Sequence, residues 1–94
     1  MQNADRRVMA SRLKLTLFVT PRNSSRALAN LYRALSIVSY TDYELSIVDV
    51  LQEPDKAKQA NITKTPCLCH HADDGDKLIE SLADTDSVRL ALGI

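Results

Sequence analysis

Glycine is scarce in this 94-residue chain: Gly75 and Gly93 are the only two. Phosphate-cradling loops need closely spaced glycines so that backbone N–H groups can approach the anion, so a Gly-rich nucleotide loop is excluded. Cysteine is equally rare. Cys67 and Cys69 stand two positions apart, which makes no disulfide framework and leaves the cytoplasm as the default compartment. An excess of either charge is also lacking, since 12 Lys and Arg balance 12 Asp and Glu. Without a basic surplus, counterion release cannot drive nucleic-acid binding. No apolar run approaches the roughly 20 residues that span a bilayer. Residues 1–12 carry Arg6, Arg7 and Arg12 but no apolar block, so they are read as a polar, flexible leader, not a secretory signal. The remaining residues, 13–94, suit one domain. A 45% share of hydrophobic residues argues against disorder, and this length holds one modest core.

Leu13, Leu15, Leu17 and Val19 alternate with Lys14, Thr16 and Phe18, the period of a strand. Thr20-Pro21-Arg22-Asn23-Ser24 breaks it, with Asn23 or Ser24 available to cap a helix. Leu28, Leu31, Leu35 and Val38 then mark an amphipathic helix from about Ser25 to Ser39. A strand at about Tyr43–Leu51 is almost continuously apolar, which predicts cover on both faces. Strand, helix and strand of these lengths form a right-handed parallel unit. Pro54 starts a short helix to about Ala60, and Thr65-Pro66 bars any further helical turn. Cys67–His71 reads as a strand, Asp73-Asp74-Gly75-Asp76 as a hairpin turn, and Lys77–Glu80 as the antiparallel return. Asp84 caps a last helix through Leu92. The predicted order, βαβαββα, is the α/β thioredoxin-like arrangement.

The last segment satisfies two periods at once. Val88, Leu90, Leu92 and Ile94 alternate with Arg89, Ala91 and Gly93 as in a strand, yet Val88 and Leu92 also lie one helical turn apart. Periodicity leaves both open.

Chemistry-bearing residues are few. Thiol oxidoreductases of this fold class place Cys-x-x-Cys after the first strand, where a helix N-terminus lowers the thiol pKa; here that position reads Pro21-Arg22-Asn23-Ser24. Cys67, Cys69 and His71 share one strand face while His70 points away, but ligands along one strand converge poorly and a tetrahedral site wants a fourth donor. No metal is therefore expected, and no cofactor. Asp73, Asp74 and Asp76 lack the spacing and closing Glu of a calcium loop and read as a solvated turn. Asp49, inside an apolar strand, must sit near a strand end or be paired. Tyr40 and Tyr43 either anchor an interface or close the end of the core.

Val48-Asp49-Val50-Leu51-Gln52-Glu53-Pro54 and Lys64-Thr65-Pro66-Cys67-Leu68 resemble the KaiB family of circadian clock proteins. Leu15-x-Leu17-Phe18-Val19, Ser25-Arg26-Ala27-Leu28, Leu78-Ile79, Leu82 and the Val88, Leu90, Leu92 tail extend the resemblance over Leu13 to Ile94. It implies a non-enzymatic clock or stress-response regulator that docks on a KaiC-like hexameric ATPase. It also implies two folds of one sequence, an oligomeric ground state and a monomeric thioredoxin-like state that binds KaiC, with the second half of the chain switching. Arg26 and Lys77 match basic positions of the family; Lys56, Lys58 and Lys64 add positive charge, and with Tyr43 these form the expected partner-binding set. The resemblance further implies a cis Pro66, where a plain turn would be trans. The chain departs from the family at Asp73-Asp74-Gly75, in a shorter first loop, and at Ala91 and Gly93. Ala favours helix over Gly by about 1 kcal/mol, so the thioredoxin-like packing is expected. Two other readings remain: a thiol or peroxide enzyme using Cys67, and the sensor domain of a histidine kinase. A standalone chain ending at Ile94 favours the KaiB type over the latter.

Overall fold

The computed structural model describes residues 13–39, 42–80 and 82–94; the leader at residues 1–12 and Tyr40 lie outside the described residues. Among the described residues seven elements occur in the predicted order. They are β1 (Leu13–Val19), α1 (Ser24–Leu35), β2 (Tyr43–Asp49), α2 (Pro54–Gln59), β3 (Cys67–Ala72), β4 (Gly75–Ile79) and α3 (Thr85–Leu92). The strands form one four-stranded sheet in the order β2-β1-β3-β4. β1 runs parallel to β2 and antiparallel to β3, and β3 pairs antiparallel with β4 through the tight turn.

Alternation along β1 feeds two cores. Leu15, Leu17 and Val19 pack with Leu68 and Ile79 against Ala27, Leu31, Ala34 and Leu35 of α1 and Val88 and Leu92 of α3. Each Leu, Ile or Val side chain among these, fully withdrawn from water, contributes about 1.5–3 kcal/mol. Phe18, Val48 and Cys69 form a smaller core on the other sheet face, covered by Ala57 of α2 together with Val50, Ala60 and Ile62. Asn30, buried on α1, donates to the carbonyl of Leu82 at 2.9 Å and so fixes the segment that leads into α3.

Three expectations change. β2 is an edge strand, not one covered on both faces: Glu44 and Ser46 are exposed and Ile47 keeps 45% of its surface in water. Its apolar residues overshoot what its place in the sheet demands. α1 stops at Leu35, short of Ser39, because the Ser36 hydroxyl and N–H both turn back to the Arg33 carbonyl, at 2.7 and 3.2 Å. Asn23 occupies the N-cap position of α1 without making a capping bond.

The undecided tail is helical. Asp84 accepts from the Ser87 N–H at 2.8 Å, and Gly93 terminates α3 in the left-handed region at φ 73°. Ile94 N–H returns to the Arg89 carbonyl and Gly93 N–H to that of Leu90, which closes the last turn.

Candidate functional site

β1 and β2 both point their carboxyl ends at the same edge of the molecule, the end at which α/β sheets offer crevices. Three connections meet there: residues 20–23, the loop at 63–66 and the segment around Leu82. Asn23 holds the first two together. Its Oδ1 accepts from the Thr20 N–H at 3.0 Å and its Nδ2 donates to the Thr65 hydroxyl at 3.1 Å. The Thr65–Pro66 peptide bond is cis. Between Pro66 and the start of α1 lies a groove of 460 Å³, with Ala27, Pro66 and Leu82 among its apolar residues and Arg22, Arg26 and Glu80 among its charged ones. An apolar floor with charges of both signs at the rim suits protein recognition.

The groove is not equipped as a thiol active site. Cys67 is buried beside it; burial pushes its thiol pKa up, and the Glu80 carboxylate adds to this against a weaker opposing bond at Ile79. Cys69 is pushed up to about 11, by burial first and then by Asp76 and Cys67. The thiolate is the nucleophile, so both groups are poorly reactive at neutral pH.

The residues expected to bind a partner fall in different places. Arg26 and Pro66 share the groove. Lys64, next along the loop, lines a neighbouring hollow with Val50, Ala57 and Ile62. Lys56 and Lys58 stand exposed on α2, Lys56 being held by Glu53 at 2.7 Å. Tyr43 is half-buried against the main core, opposite Leu13. That is about 16 Å of strand away from Phe18, whose partner Cys67 marks the groove end. Lys77 lies on the outer strand β4 beside Asp74, 3.8 Å away. Asp49 sits at the end of β2, where its Oδ1 accepts from the Leu51 N–H at 2.9 Å, a structural role.

On the α2 face, one group of donors converges that the sequence pattern pairs differently. Cys69, His71 and Asp76 place one ligand atom each within 4.8 Å of one another. Asp76 takes the place that Cys67 holds in the strand alternation, because β3–β4 register sets it directly opposite His71. The objection that ligands along one strand converge poorly does not apply across two strands. The hairpin turn was the signal that could have found it.

A family profile described as the KaiB domain matches residues 16–93. Circadian clock protein KaiB3 of Synechocystis sp. is 31% identical over 87 residues, which cover 89% of this chain and 85% of that protein. Among solved structures, the N-terminal domain of SasA from Synechococcus elongatus superposes with a TM-score of 0.72 at 23% identity, over 87% of this chain and 80% of that one. Mitochondrial thioredoxin 3 from Saccharomyces cerevisiae gives 0.66 at 18% identity, over 99% of this chain and 86% of the other. The structural likenesses establish the thioredoxin-like fold.

Proposed function

Because the chain belongs to the KaiB family, we propose that it is a non-enzymatic clock regulator that works by docking on a KaiC-like hexameric ATPase. The family match, continuous over residues 16–93, carries this reading. It is supported by the groove at the carboxyl end of β1, where an exposed Arg26 and Pro66 flank an apolar floor, and by thiols too buried and too weakly acidic for redox turnover. The docking face we propose runs from Arg26 across Pro66 and Lys64 to Lys58 on α2. Tyr43 and Lys77 fall outside it.

The mechanism is docking of the thioredoxin-like arrangement as a largely rigid body. Any fraction of the chain held in another packing or in a homo-oligomer weakens the apparent affinity in proportion, since only the competent fraction binds. We place the protein in the cytoplasm, where its free Cys67 and Cys69 stay reduced; among the described residues no helix is long and apolar enough to cross a membrane.

Native mass spectrometry of the full chain mixed with the cognate KaiC-like ATPase, with and without nucleotide, tests the proposal. A nucleotide-dependent complex is the expected result. No complex under any nucleotide condition removes the ATPase partner, and turnover of peroxide or insulin disulfides that disappears in Cys67→Ser removes the non-enzymatic reading.

A further inference from the structure

We propose that Cys69, His71 and Asp76 form a binding site for one divalent cation of the zinc class, held through Sγ, Nδ1 and a carboxylate oxygen, with solvent as the fourth ligand. The distances fit. With metal–sulfur bonds of about 2.3 Å and metal–nitrogen or –oxygen bonds of about 2.0–2.2 Å, a tetrahedral site has a sulfur–nitrogen edge of about 3.5 Å and a nitrogen–oxygen edge of about 3.4 Å. Cys69 Sγ lies 3.7 Å from His71 Nδ1, and His71 Nδ1 lies 3.1 Å from Asp76 Oδ1. Shifts of a few tenths of an ångström bring these two edges to their ideal lengths, and the sulfur–oxygen edge, which lies within 4.8 Å, closes to about 3.5 Å by movement of the exposed Asp76 carboxylate.

Strand alternation sets the Cys69 thiol beside His71, and the hairpin brings the Asp76 carboxylate to both, so that a soft donor, an imidazole and a carboxylate share one point. The other ring nitrogen is already engaged: Nε2 lies 2.9 Å from the hydroxyl of Thr16 on β1. A histidine that ligates a metal through one nitrogen characteristically has the other tied to a polar partner, which fixes the ring plane and the tautomer. Here three strands cooperate, β3 with two ligands, β4 with the third and β1 with the hydroxyl that orients the ring.

Charge and access agree with the geometry. A thiolate and a carboxylate together neutralise a dication, while the imidazole binds uncharged; on coordination the Cys69 thiol gives its proton to solvent. Mixed sulfur, nitrogen and oxygen donors select zinc and its neighbours over magnesium or calcium. The ring and the carboxylate border a solvent-open hollow of 330 Å³ between α2 and the sheet, which leaves room for the fourth ligand.

Cobalt(II) titration of the reduced full-length chain reads the site directly. Saturation at one equivalent is expected, with a sulfur-to-cobalt charge-transfer band, visible absorption of a four-coordinate ion, and loss of both on adding zinc. Cys69→Ser should abolish the charge-transfer band, and His71→Ala and Asp76→Asn should each weaken binding by at least about tenfold. Cys67→Ser and His70→Ala should leave it unchanged. Far-ultraviolet circular dichroism checks the fold of each variant, and the exposed His71 and Asp76 keep the test decisive if the buried Cys69→Ser unfolds. No saturable band, a band unaffected by His71→Ala, or a band lost in folded Cys67→Ser would each overturn the site.

Discussion

Asn23 and Thr65, 42 residues apart, are joined by a 3.1 Å hydrogen bond from the asparagine side-chain amide to the threonine hydroxyl. The same asparagine accepts from the Thr20 N–H. One side chain therefore sets the width of the groove, because it fixes the loop before α1 against the loop that carries Pro66. Its position before the helix suggests a cap, but the bonds it makes run to the loops.

Replacing Asn23 with Ala removes both bonds at a half-buried site and should cost about 1–2 kcal/mol of folding stability. Thr65→Val, which removes only the longer-range bond, should cost less. Urea denaturation of the two variants measures the difference. Equal stability of Asn23→Ala and the parent chain would show that the loops are positioned by something else.

Charge reversal at Arg26 should weaken docking on the ATPase with little change in melting temperature, since this side chain is exposed at the groove. Lys64→Glu should act in the same direction. Lys77→Glu, on the outer strand and already beside Asp74, should have little effect. Association measured for the three variants at one ionic strength maps the face; an effect at Lys77 equal to that at Arg26 would move it.

Much of this architecture was legible because local signals agreed. The alternation of Leu13–Val19, the helical spacing of Leu28, Leu31 and Leu35, Pro54 at a helix start and Asp84 at another each name an element that the structure contains. The tail was not legible from periodicity, since Val88, Leu90 and Leu92 serve strand and helix alike. Burial and capping together decide it: Val88 and Leu92 are in the core, Leu90 is 85% exposed, and Gly93 takes a left-handed φ that closes a helix. The place of β2 was hidden for another reason. Strand order is a non-local property, and a stretch such as residues 47–51, apolar except for Asp49, reads the same at a sheet edge as at its centre. The donor cluster was missed for a local reason: Asp76 reads as part of the turn, whereas β4 begins at Gly75 and sets Asp76 opposite His71.

The thiols give a readout of packing. Cys67 and Cys69 are both buried, so Ellman's reagent should react slowly with the native chain at pH 8 and quickly in urea. An acid whose folded pKa is raised contributes stability that is complete below its unfolded value and declines as pH climbs through the folded one. For Cys69 those limits are 9.0 and about 11, so folding stability should fall across that interval. Cys69→Ala should flatten the decline, and rapid labelling of the native chain at pH 8 would contradict the burial.

Asp84 supplies the opposite pH signature. Its carboxylate accepts from the Ser87 N–H at 2.8 Å and from the Ser87 hydroxyl at 3.1 Å, and these bonds hold its pKa below the ordinary carboxylate value. A depressed folded pKa means the contribution is present above the unfolded value, near 4, and is lost as pH falls through the folded one. Asp84→Ala should therefore lower the melting temperature at pH 7, and its deficit relative to the parent should shrink as the medium is acidified below pH 4. Asp84→Asn should retain part of the cap, because an amide oxygen still accepts from the same N–H but carries no charge for the helix start. The signal should appear as loss of helicity, since the only element these bonds begin is α3, and a deficit in Asp84→Ala that persists unchanged at pH 2 would assign it to packing and not to the carboxylate.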